Sequence, residues 1–361
     1  MGFKEDFHLI KKLTEIQSCS GNESAIRDFI KGYIQEDCDS IEIDALGNLH
    51  CFVFGEGKEE GEKLKILFDA HMDEIGFIVR FIDKNGFLRF SQIGGQNVRI
   101  LPGQKVHIHA TSGDKVIGII GEKPIHLIKK KERKKTSDIE DLFIDVGMSS
   151  KEEVEEIISV GDYITLSQEC TSFFNKKRFF TKALDDRAGC FVLIKLIKEF
   201  SQSRDTLNYD LIFQFAAQEE IGVRGATTGS YKISPDLAIV LEVTHAVDYP
   251  GINKDKHFDC ALGAGVSISV GPNVFSKLSK LLIETAKEAE IPYILEARNR
   301  PAPNDARAIQ MTKAGIPCAI VTTPLRYMHT NIETIEYQDL IHTVNLLKAI
   351  LQKDLVSHIS L

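Results

Sequence analysis

Apolar residues recur every three or four positions in two stretches near the start of the chain, and this spacing is typical of amphipathic helices. Shorter apolar runs follow, the first two separated by the turn residues Gly47 and Asn48. In chain order, these patterns predict helices over residues 4–16 and 23–34 and strands over residues 40–44, 49–53 and 64–70. The last run is typical of a buried strand, and His71 follows it directly.

Between about residues 75 and 167 the pattern changes to short runs in which apolar and polar residues alternate. Turn-forming residue pairs that contain glycine separate several of these runs. The predicted strands cover residues 76–82, 87–90, 105–110, 116–120 and 163–166. Strands of this length and spacing predict a small, mostly β unit, either a barrel or a sandwich.

Beyond about residue 170, longer strands alternate with helices, which is typical of a layered α/β arrangement. The predicted strands cover residues 208–217, 237–243, 264–270 and 318–323, and the helices cover residues 187–200, 274–289 and 337–352. Because the strand before His71 fits the same sheet, we expect one discontinuous α/β domain over residues 1–73 and 170–361. A β domain is then inserted at residues 74–169.

Length and charge narrow the class of protein. The 361 residues are enough for about two domains, and no apolar run approaches the ~20 residues that a membrane-spanning helix needs. The formal net charge of -8 argues against a surface that binds nucleic acid. The basic run at residues 129–135 has no interleaved aromatic residues, so it predicts a solvated loop rather than a nucleic-acid site.

The cysteines and the N-terminus indicate a compartment. The 7 cysteines are scattered singly and form neither a CxxC pair nor a disulfide framework. The N-terminal helix lacks the apolar core and cleavage site of a secretion signal. We therefore expect a protein of the reducing cytoplasm.

Acidic or imidazole side chains lie just beyond five strands that we expect to be parallel. In chain order they are His71, Asp185, Glu220, Glu242 and His329. Because ligand sites of α/β sheets gather at the carboxyl ends of the strands, we expect these side chains to lie together. Carboxylates with two imidazoles and no paired cysteines suit Zn²⁺, Co²⁺ or Mn²⁺.

Two of these motifs also have plain structural interpretations. His71 alone could be a structural histidine, although Asp73 is placed to accept the other ring N–H, as the partner of a metal-bound histidine does. The adjacent Asp185 and Asp186 could cap a helix. Alternatively, one of the two carboxylates could bridge a pair of cations.

The acidic pair Glu219-Glu220 is the most informative motif. Two acids directly after a buried strand are costly unless a charged partner neutralises them, although a solvated strand end is the alternative. Consecutive side chains point to different sides, so one can bind metal while the other acts as a general base.

Eight short motifs carry a resemblance to a known family. They are Ser20-Gly21-Asn22-Glu23, Leu46-Gly47-Asn48, His71-Met72-Asp73-Glu74-Ile75-Gly76, Ile93-Gly94-Gly95, Phe143-Ile144-Asp145-Val146-Gly147, Ala183-Leu184-Asp185-Asp186-Arg187, Glu219-Glu220-Ile221-Gly222 and Arg326-Tyr327-Met328-His329. In this order they resemble the tetrahedral aminopeptidase family of dinuclear metallopeptidases. That family includes glutamyl and deblocking aminopeptidases and some members that carry an endoglucanase label. The resemblance runs nearly end to end.

The resemblance implies a role for each site residue. Asp185 would bridge two metal ions and be followed by a cis peptide bond. The two sites would be completed by His71 with Glu242 and by Glu220 with His329. Asp73 would orient His71, and Glu219 would be the general base.

The resemblance also implies the fold and the assembly. The α/β domain would be a mixed sheet flanked by helices, of the dinuclear zinc-peptidase type. The inserted β segment would be a barrel-like dimerisation domain. Dimers of this family commonly build tetrahedral shells of twelve subunits.

Three departures from the family pattern concern the site and its surroundings. The ligand at Glu242 is usually Asp. The usual Gly-Thr-Asp-Ala is here Pro303-Asn304-Asp305-Ala306, and the usual Ser-Pro after the last histidine is Thr330-Asn331. The last two lie where a substrate pocket or an interface is expected. We therefore do not transfer the substrate specificity of any relative to this chain.

We therefore expect a metal-dependent aminopeptidase that removes N-terminal residues from peptides with a free N-terminus. It would use two divalent ions per chain, Zn²⁺ or Co²⁺ or else Mn²⁺, and it would self-associate. The alternatives are another dinuclear hydrolase (a carboxypeptidase or an N-acyl deacylase), a glycosidase, or an oligomeric homologue whose site has decayed. A glycosidase needs two carboxylates, but its mechanism does not explain why two histidines accompany them.

Overall fold

The structure is a computed structural model that describes residues 2–57, 63–127 and 136–359, so the basic run at 129–135 lies outside the described residues. The strands within these ranges are β1 (Ser40–Ile43), β2 (Leu49–Val53), β3 (Lys65–His71), β4 (Gly76–Ile82), β5 (Leu88–Ile93), β6 (Lys105–His109), β7 (Lys115–Gly121), β8 (Phe143–Asp145), β9 (Tyr163–Leu166), β10 (Thr171–Ser172), β11 (Arg178–Thr181), β12 (Asp210–Ala216), β13 (Leu237–His245), β14 (Val266–Val270), β15 (Tyr293–Ala297), β16 (Cys318–Arg326) and β17 (Glu333–Glu336).

The α-helices lie at both ends of the chain and between the strands of its second half. They are α1 (Phe3–Glu15), α2 (Ser24–Ile34), α3 (Lys151–Glu155), α4 (Leu184–Phe200), α5 (Arg224–Ile233), α6 (Ser276–Glu288), α7 (Ala306–Ile309), α8 (Tyr337–Ile350) and α9 (Leu355–Ile359). No helix of the described ranges is long and apolar enough to cross a lipid bilayer.

A mixed sheet of 11 described strands organises most of the chain, in the order β1-β2-β12-β3-β13-β16-β17-β11-β10. In addition, β14 pairs with β16, and β15 pairs with β14. The central strands β12, β3, β13 and β16 are mutually parallel. Their carboxyl ends therefore meet at one edge of the sheet, where ligand sites of α/β proteins gather.

Helices cover both faces of this sheet. Alternate residues of a strand point to opposite faces, so Ile66 and Phe68 pack into one core with the helices α1, α2, α4, α6 and α8. Leu67, between them, packs into a second core with Ala306 and Ile309 near α5 and α7. The predicted class, a mixed sheet flanked by helices, is confirmed.

The strands between Gly76 and Leu166 form a closed barrel, in the order β4-β5-β8-β7-β6-β9. The first and last strands, β4 and β9, pair antiparallel and close it. Inward-facing side chains such as Phe77, Ile108 and Ile164 fill a separate apolar core. The barrel is therefore the correct choice of the two predicted β architectures.

Five of the described strands (β8, β10, β11, β15 and β17) and four helices (α3, α5, α7 and α9) have no predicted range. The strand β17 reads Glu-Thr-Ile-Glu. All four residues are buried, but only Ile335 is apolar, so the strand lacks the apolar run by which buried strands are recognised.

At the start of α4, Asp185 and Asp186 have non-helical backbone angles. Regular helix therefore begins at about Arg187, as predicted.

Candidate active site

The five predicted ligands meet at the carboxyl edge of the parallel strands. His71 ends β3, and Glu220 and His329 lie in the loops after β12 and β16. The prediction that every ligand follows a parallel strand is wrong in two cases. Glu242 lies inside β13, and Asp185 follows β11, which is antiparallel to its neighbour β17.

Asp185 stands at the centre of the cluster. Its Oδ1 lies 3.0 Å from Nε2 of His71, and its Oδ2 lies 3.3 Å from Nε2 of His329. Each carboxylate oxygen thus faces a different imidazole, as a carboxylate that bridges two cations requires. The peptide bond from Asp185 to Asp186 is cis.

Two groups of potential ligands share Asp185. The first is His71, Asp185 and Glu242, and the second is Asp185, Glu220 and His329. Within each group one ligand atom per residue lies within 4.8 Å of the others. A third combination, His71 with Glu219 and Glu220, satisfies the same distance.

The carboxylate of Glu242 lies close to His71 and Asp185, although its side chain is one methylene longer than the aspartate that is usual in the family. Its Oε1 lies 3.9 Å from Nε2 of His71 and accepts a 3.0 Å hydrogen bond from the N–H of Val243, the next residue. The side chain therefore folds back towards its own backbone, which absorbs the added length.

The cluster concentrates buried carboxyl groups. Burial, followed by the charge of Asp185, raises the pKa of Glu220 and of Glu242 well above the usual range. Burial would likewise raise the pKa of Asp185, but hydrogen bonds from His329 and His71 outweigh it and hold that pKa below its usual range. Carboxylates packed in this way need neighbouring positive charge, so the donor set fits divalent cations.

Asp73 anchors the loop that carries Glu219 and Glu220. Its Oδ1 accepts the N–H of Glu219 at 3.0 Å, and its Oδ2 accepts the N–H of Glu220 at 3.1 Å and the hydroxyl of Ser20 at 2.6 Å. Nδ1 of His71 is 3.4 Å from this carboxylate but 3.1 Å from the backbone oxygen of Asp73. The carbonyl is thus the nearer acceptor, and the carboxylate chiefly holds the 219–220 backbone.

Two buried glutamates of the site were given no role by the sequence reasoning. Glu333 accepts the N–H of Asp185 at 3.1 Å and the N–H of His329 at 2.8 Å, so it links the ligands from two loops. Glu23 accepts the N–H of Gln218 at 3.1 Å. Glu23 belongs to a motif of the family resemblance, whereas Glu333 lies in the unrecognised strand β17.

Comparison with known proteins identifies the family. A family model described as M42 glutamyl aminopeptidase matches residues 51–346, which is most of the chain. The chain belongs to the M42 peptidase family. The predicted class, a peptide hydrolase of the aminopeptidase type, is therefore confirmed.

Known peptidases resemble this chain over almost its full length. A lysyl aminopeptidase of Pyrococcus furiosus is 33% identical, over 96% of this chain and 97% of its own. A TET aminopeptidase of Thaumarchaeota archaeon SCGC AB-539-E09 has a similar structure, with a TM-score of 0.92 and 32% identity over 99% of this chain and 98% of its own. The TET1 peptidase of Pyrococcus horikoshii, described as assembling into a tetrahedron or a large octahedral shell, has a TM-score of 0.83 and 31% identity over 97% of this chain and 99% of its own.

Proposed function

We propose that this M42 enzyme removes single residues from the free N-terminus of peptides by a mechanism that uses two metal ions. The observation that carries the proposal is the orientation of Asp185, whose two oxygens face His71 and His329 separately. The pairing of ligands implied by the family resemblance, His71 with Glu242 and Glu220 with His329, matches the two groups that share this carboxylate.

The donor set suits Zn²⁺ or Co²⁺, with Mn²⁺ as a further candidate, since it combines imidazole nitrogens with carboxylate oxygens. Two such ions would supply a Lewis acid that polarises the scissile carbonyl and would make a water molecule acidic enough to react at neutral pH.

Glu219 is the proposed general base. It lines a cavity of about 360 Å³ together with four of the five proposed ligands, Asp185, Glu220, Glu242 and His329. The backbone of Glu219 is fixed through Asp73. Burial is the main cause that raises the pKa of Glu219 to about 7, close to the pH at which a base accepts and returns a proton most effectively. Its carboxylate takes a proton from the attacking water and delivers it to the leaving amine.

A comparison of substrates tests this function. With each of the three metals added to metal-free protein, we expect hydrolysis of aminoacyl anilides and no hydrolysis of the same compounds after N-acetylation. An N-acyl deacylase would cleave the acetylated compounds instead. A carboxypeptidase would cleave neither anilide but would release the last residue of an N-acetylated peptide with a free C-terminal carboxylate, and either result would overturn the proposal. A decayed site would bind fewer than about two metal ions per chain and cleave neither substrate.

We propose that residues 74–169 form an inserted dimerisation domain and that the dimers build larger shells. The barrel strand β7 exposes two neighbouring isoleucines, Ile117 and Ile119, to 58% and 55%. Contiguous exposed apolar surface is typical of sites that bind another protein.

Placing charge on this strand is expected to dissociate the assembly. The double variant Ile117→Lys/Ile119→Lys should elute as a smaller species in size-exclusion chromatography with light scattering, because two charges would have to be buried in the contact. Val160→Lys, in the turn before β9 at a residue that is 62% exposed, is the matched control and should keep the wild-type mass. An unchanged mass of the double variant would contradict a dimer built on β7.

We also propose a cytoplasmic location. The cysteines are all free, and apart from the half-buried Cys38 they are buried, which suits a reducing compartment.

A further inference from the structure

Another cavity lies between the barrel and the α/β domain. Its volume is about 530 Å³, and it has no described lining residue in common with the cavity that contains Glu219. The barrel strands β6, β7 and β9 contribute to its lining. From the α/β domain, Glu15 at the end of α1 and Lys182 directly after β11 line it as well. The proposed mechanism assigns no role to this cavity.

The outer face of β6 presents a row of basic side chains to the cavity. Val106 and Ile108 belong to the apolar core of the barrel. Because successive side chains of a strand point to opposite faces, the residues that alternate with them point outwards. These are Lys105, His107 and His109, and all three line the cavity.

The neighbouring strands add another lysine and two hydroxyl groups. Lys115 of β7 lies opposite His109 in the sheet. From β9, Oγ1 of Thr165 lies 2.8 Å from Nε2 of His109. Oγ of Ser167 lies 3.3 Å from Nε2 of His107. Hydroxyl, imidazole and ammonium groups can all donate hydrogen bonds, so the cavity is rich in donors.

Two of the charges that line the cavity are compensated by neighbours. Lys182 is buried, and its Nζ lies 2.7 Å from each carboxylate oxygen of Glu74. Oε1 of Glu15 lies 3.6 Å from Nζ of Lys11 and also accepts the backbone N–H of Cys170. These two ion pairs leave little net charge at their side of the cavity.

The uncompensated charge of the cavity is mainly positive. The exposed Lys105 and Lys115 form no ion pair with a described residue, and Glu169 is the one exposed acid among the described lining residues. Burial, followed by the charge of neighbouring lysines, lowers the pKa of His107 and of His109 to about 4. Both imidazoles therefore lie in a positive electrostatic field.

The lining also indicates what kind of molecule fits. Every described residue that lines the cavity has a polar or charged side chain, so a nucleobase or a hydrocarbon chain would find no apolar surface to pack against. The volume of about 530 Å³ lies within the range of roughly 300–1,000 Å³ that is usual for small-molecule sites. A metal ion bound by His107 and His109 would be repelled by the lysines beside them. The cavity therefore suits a small, hydrophilic anion.

We propose that this cavity binds the phosphate group of a small hydrophilic compound, such as a sugar phosphate, through Lys105 and Lys115. The two ammonium groups would form charge-assisted hydrogen bonds with the phosphate oxygens. The hydroxyls of Thr165 and Ser167 would donate to the remaining oxygens of the ligand. This site lies beyond the proposed peptidase function and does not depend on it.

Isothermal titration calorimetry of the metal-loaded, full-length protein tests the site, with inorganic phosphate and glucose 6-phosphate as the probes. We expect both to bind, and we expect glucose, which lacks the phosphate, not to bind. In Lys105→Met/Lys115→Met the dissociation constant of each probe should rise roughly 10- to 100-fold, the effect of losing one or two hydrogen bonds to a charged group. Adenosine monophosphate should bind no more tightly than glucose 6-phosphate, because the cavity offers no surface for its base.

A matched variant controls for the change in net charge. Lys84→Met/Lys123→Met also removes two lysines of the inserted segment, at exposed positions that do not line the cavity. Its dissociation constants should equal those of the wild type. Circular dichroism establishes that both double variants are folded, as expected for substitutions of exposed side chains.

Three results would contradict the proposal. Phosphate can also bind to metal ions, so an unchanged dissociation constant in Lys105→Met/Lys115→Met would place the anion outside this cavity. Absence of binding by both probes in the wild type would exclude the site altogether. Because Ile117 lies opposite His107, the cavity borders the surface proposed for the dimer. A loss of binding that accompanied a smaller mass in light scattering would assign the anion to the contact between two copies instead.

Discussion

Glu219→Gln is expected to remove most of the turnover while leaving the metal content close to that of the wild type. Glutamine has nearly the same size and can accept hydrogen bonds, but it cannot take a proton from water. Its backbone N–H can still donate to Asp73, which holds the loop in place. Loss of a general base typically lowers kcat by about 10²- to 10⁴-fold.

The experiment measures kcat on an aminoacyl anilide and the metal content of the same preparation. The exposed Glu152 of α3 provides the matched control, and Glu152→Gln should keep full activity. Because Glu219 also fits a third ligand group with His71 and Glu220, the metal content is decisive. A fall in metal content would make Glu219 a ligand, and full activity would exclude it as the base.

Asp185→Asn is expected to abolish activity by emptying both metal positions. Asparagine offers one neutral carbonyl oxygen, and its amide nitrogen only donates. One of the two positions, at His71 or His329, would therefore lose a ligand, and the other would lose the negative charge that both now share. Glu242 belongs to only one of the two groups that share Asp185. Glu242→Gln should therefore lose about one metal ion and Asp185→Asn both, since bridging requires two oxygens.

Metal stoichiometry and affinity, measured by elemental analysis and by competition with a chelator, check this prediction. Circular dichroism of each variant establishes that it is folded. If Asp185→Asn kept two metal ions bound as tightly as the wild type, Asp185 would not be the bridge. If Glu242→Gln also lost both ions, the two positions would depend on each other more strongly than the geometry indicates.

Much of the fold could be predicted from the sequence because its apolar runs are long. The spacing of apolar residues in its helices, every three or four positions, also differs clearly from the alternation in its strands. The strand before His71 and the alternating strands of the barrel have clear patterns. The strand β17 does not, because three of its four buried residues are polar. Glu333, for example, accepts hydrogen bonds from Asp185 and His329, and no local pattern reveals such contacts.

The ligands could be proposed from sequence, but their arrangement could not. Spacing shows that a side chain follows a strand, whereas the sheet order decides which strands are neighbours. Asp185 arrives from an antiparallel strand at the far side of the sheet, and only the three-dimensional structure brings it to His71. The folded-back side chain of Glu242 likewise depends on a rotamer, which a sequence does not specify.

The closure of the barrel by β4 and β9 has a consequence for how the chain reaches its native state. His71 and Asp185 are 114 residues apart in sequence, and their contact closes a long loop. The barrel occupies much of that loop, and its first and last strands are paired, with Phe77 opposite Ile164. Once the barrel has folded, its paired strands β4 and β9 hold the two ends of the inserted segment close together. The contact between His71 and Asp185 then closes a much shorter effective loop, which costs less conformational entropy. We therefore expect the barrel to form early and the encounter of the two halves of the metal site to be a late folding event.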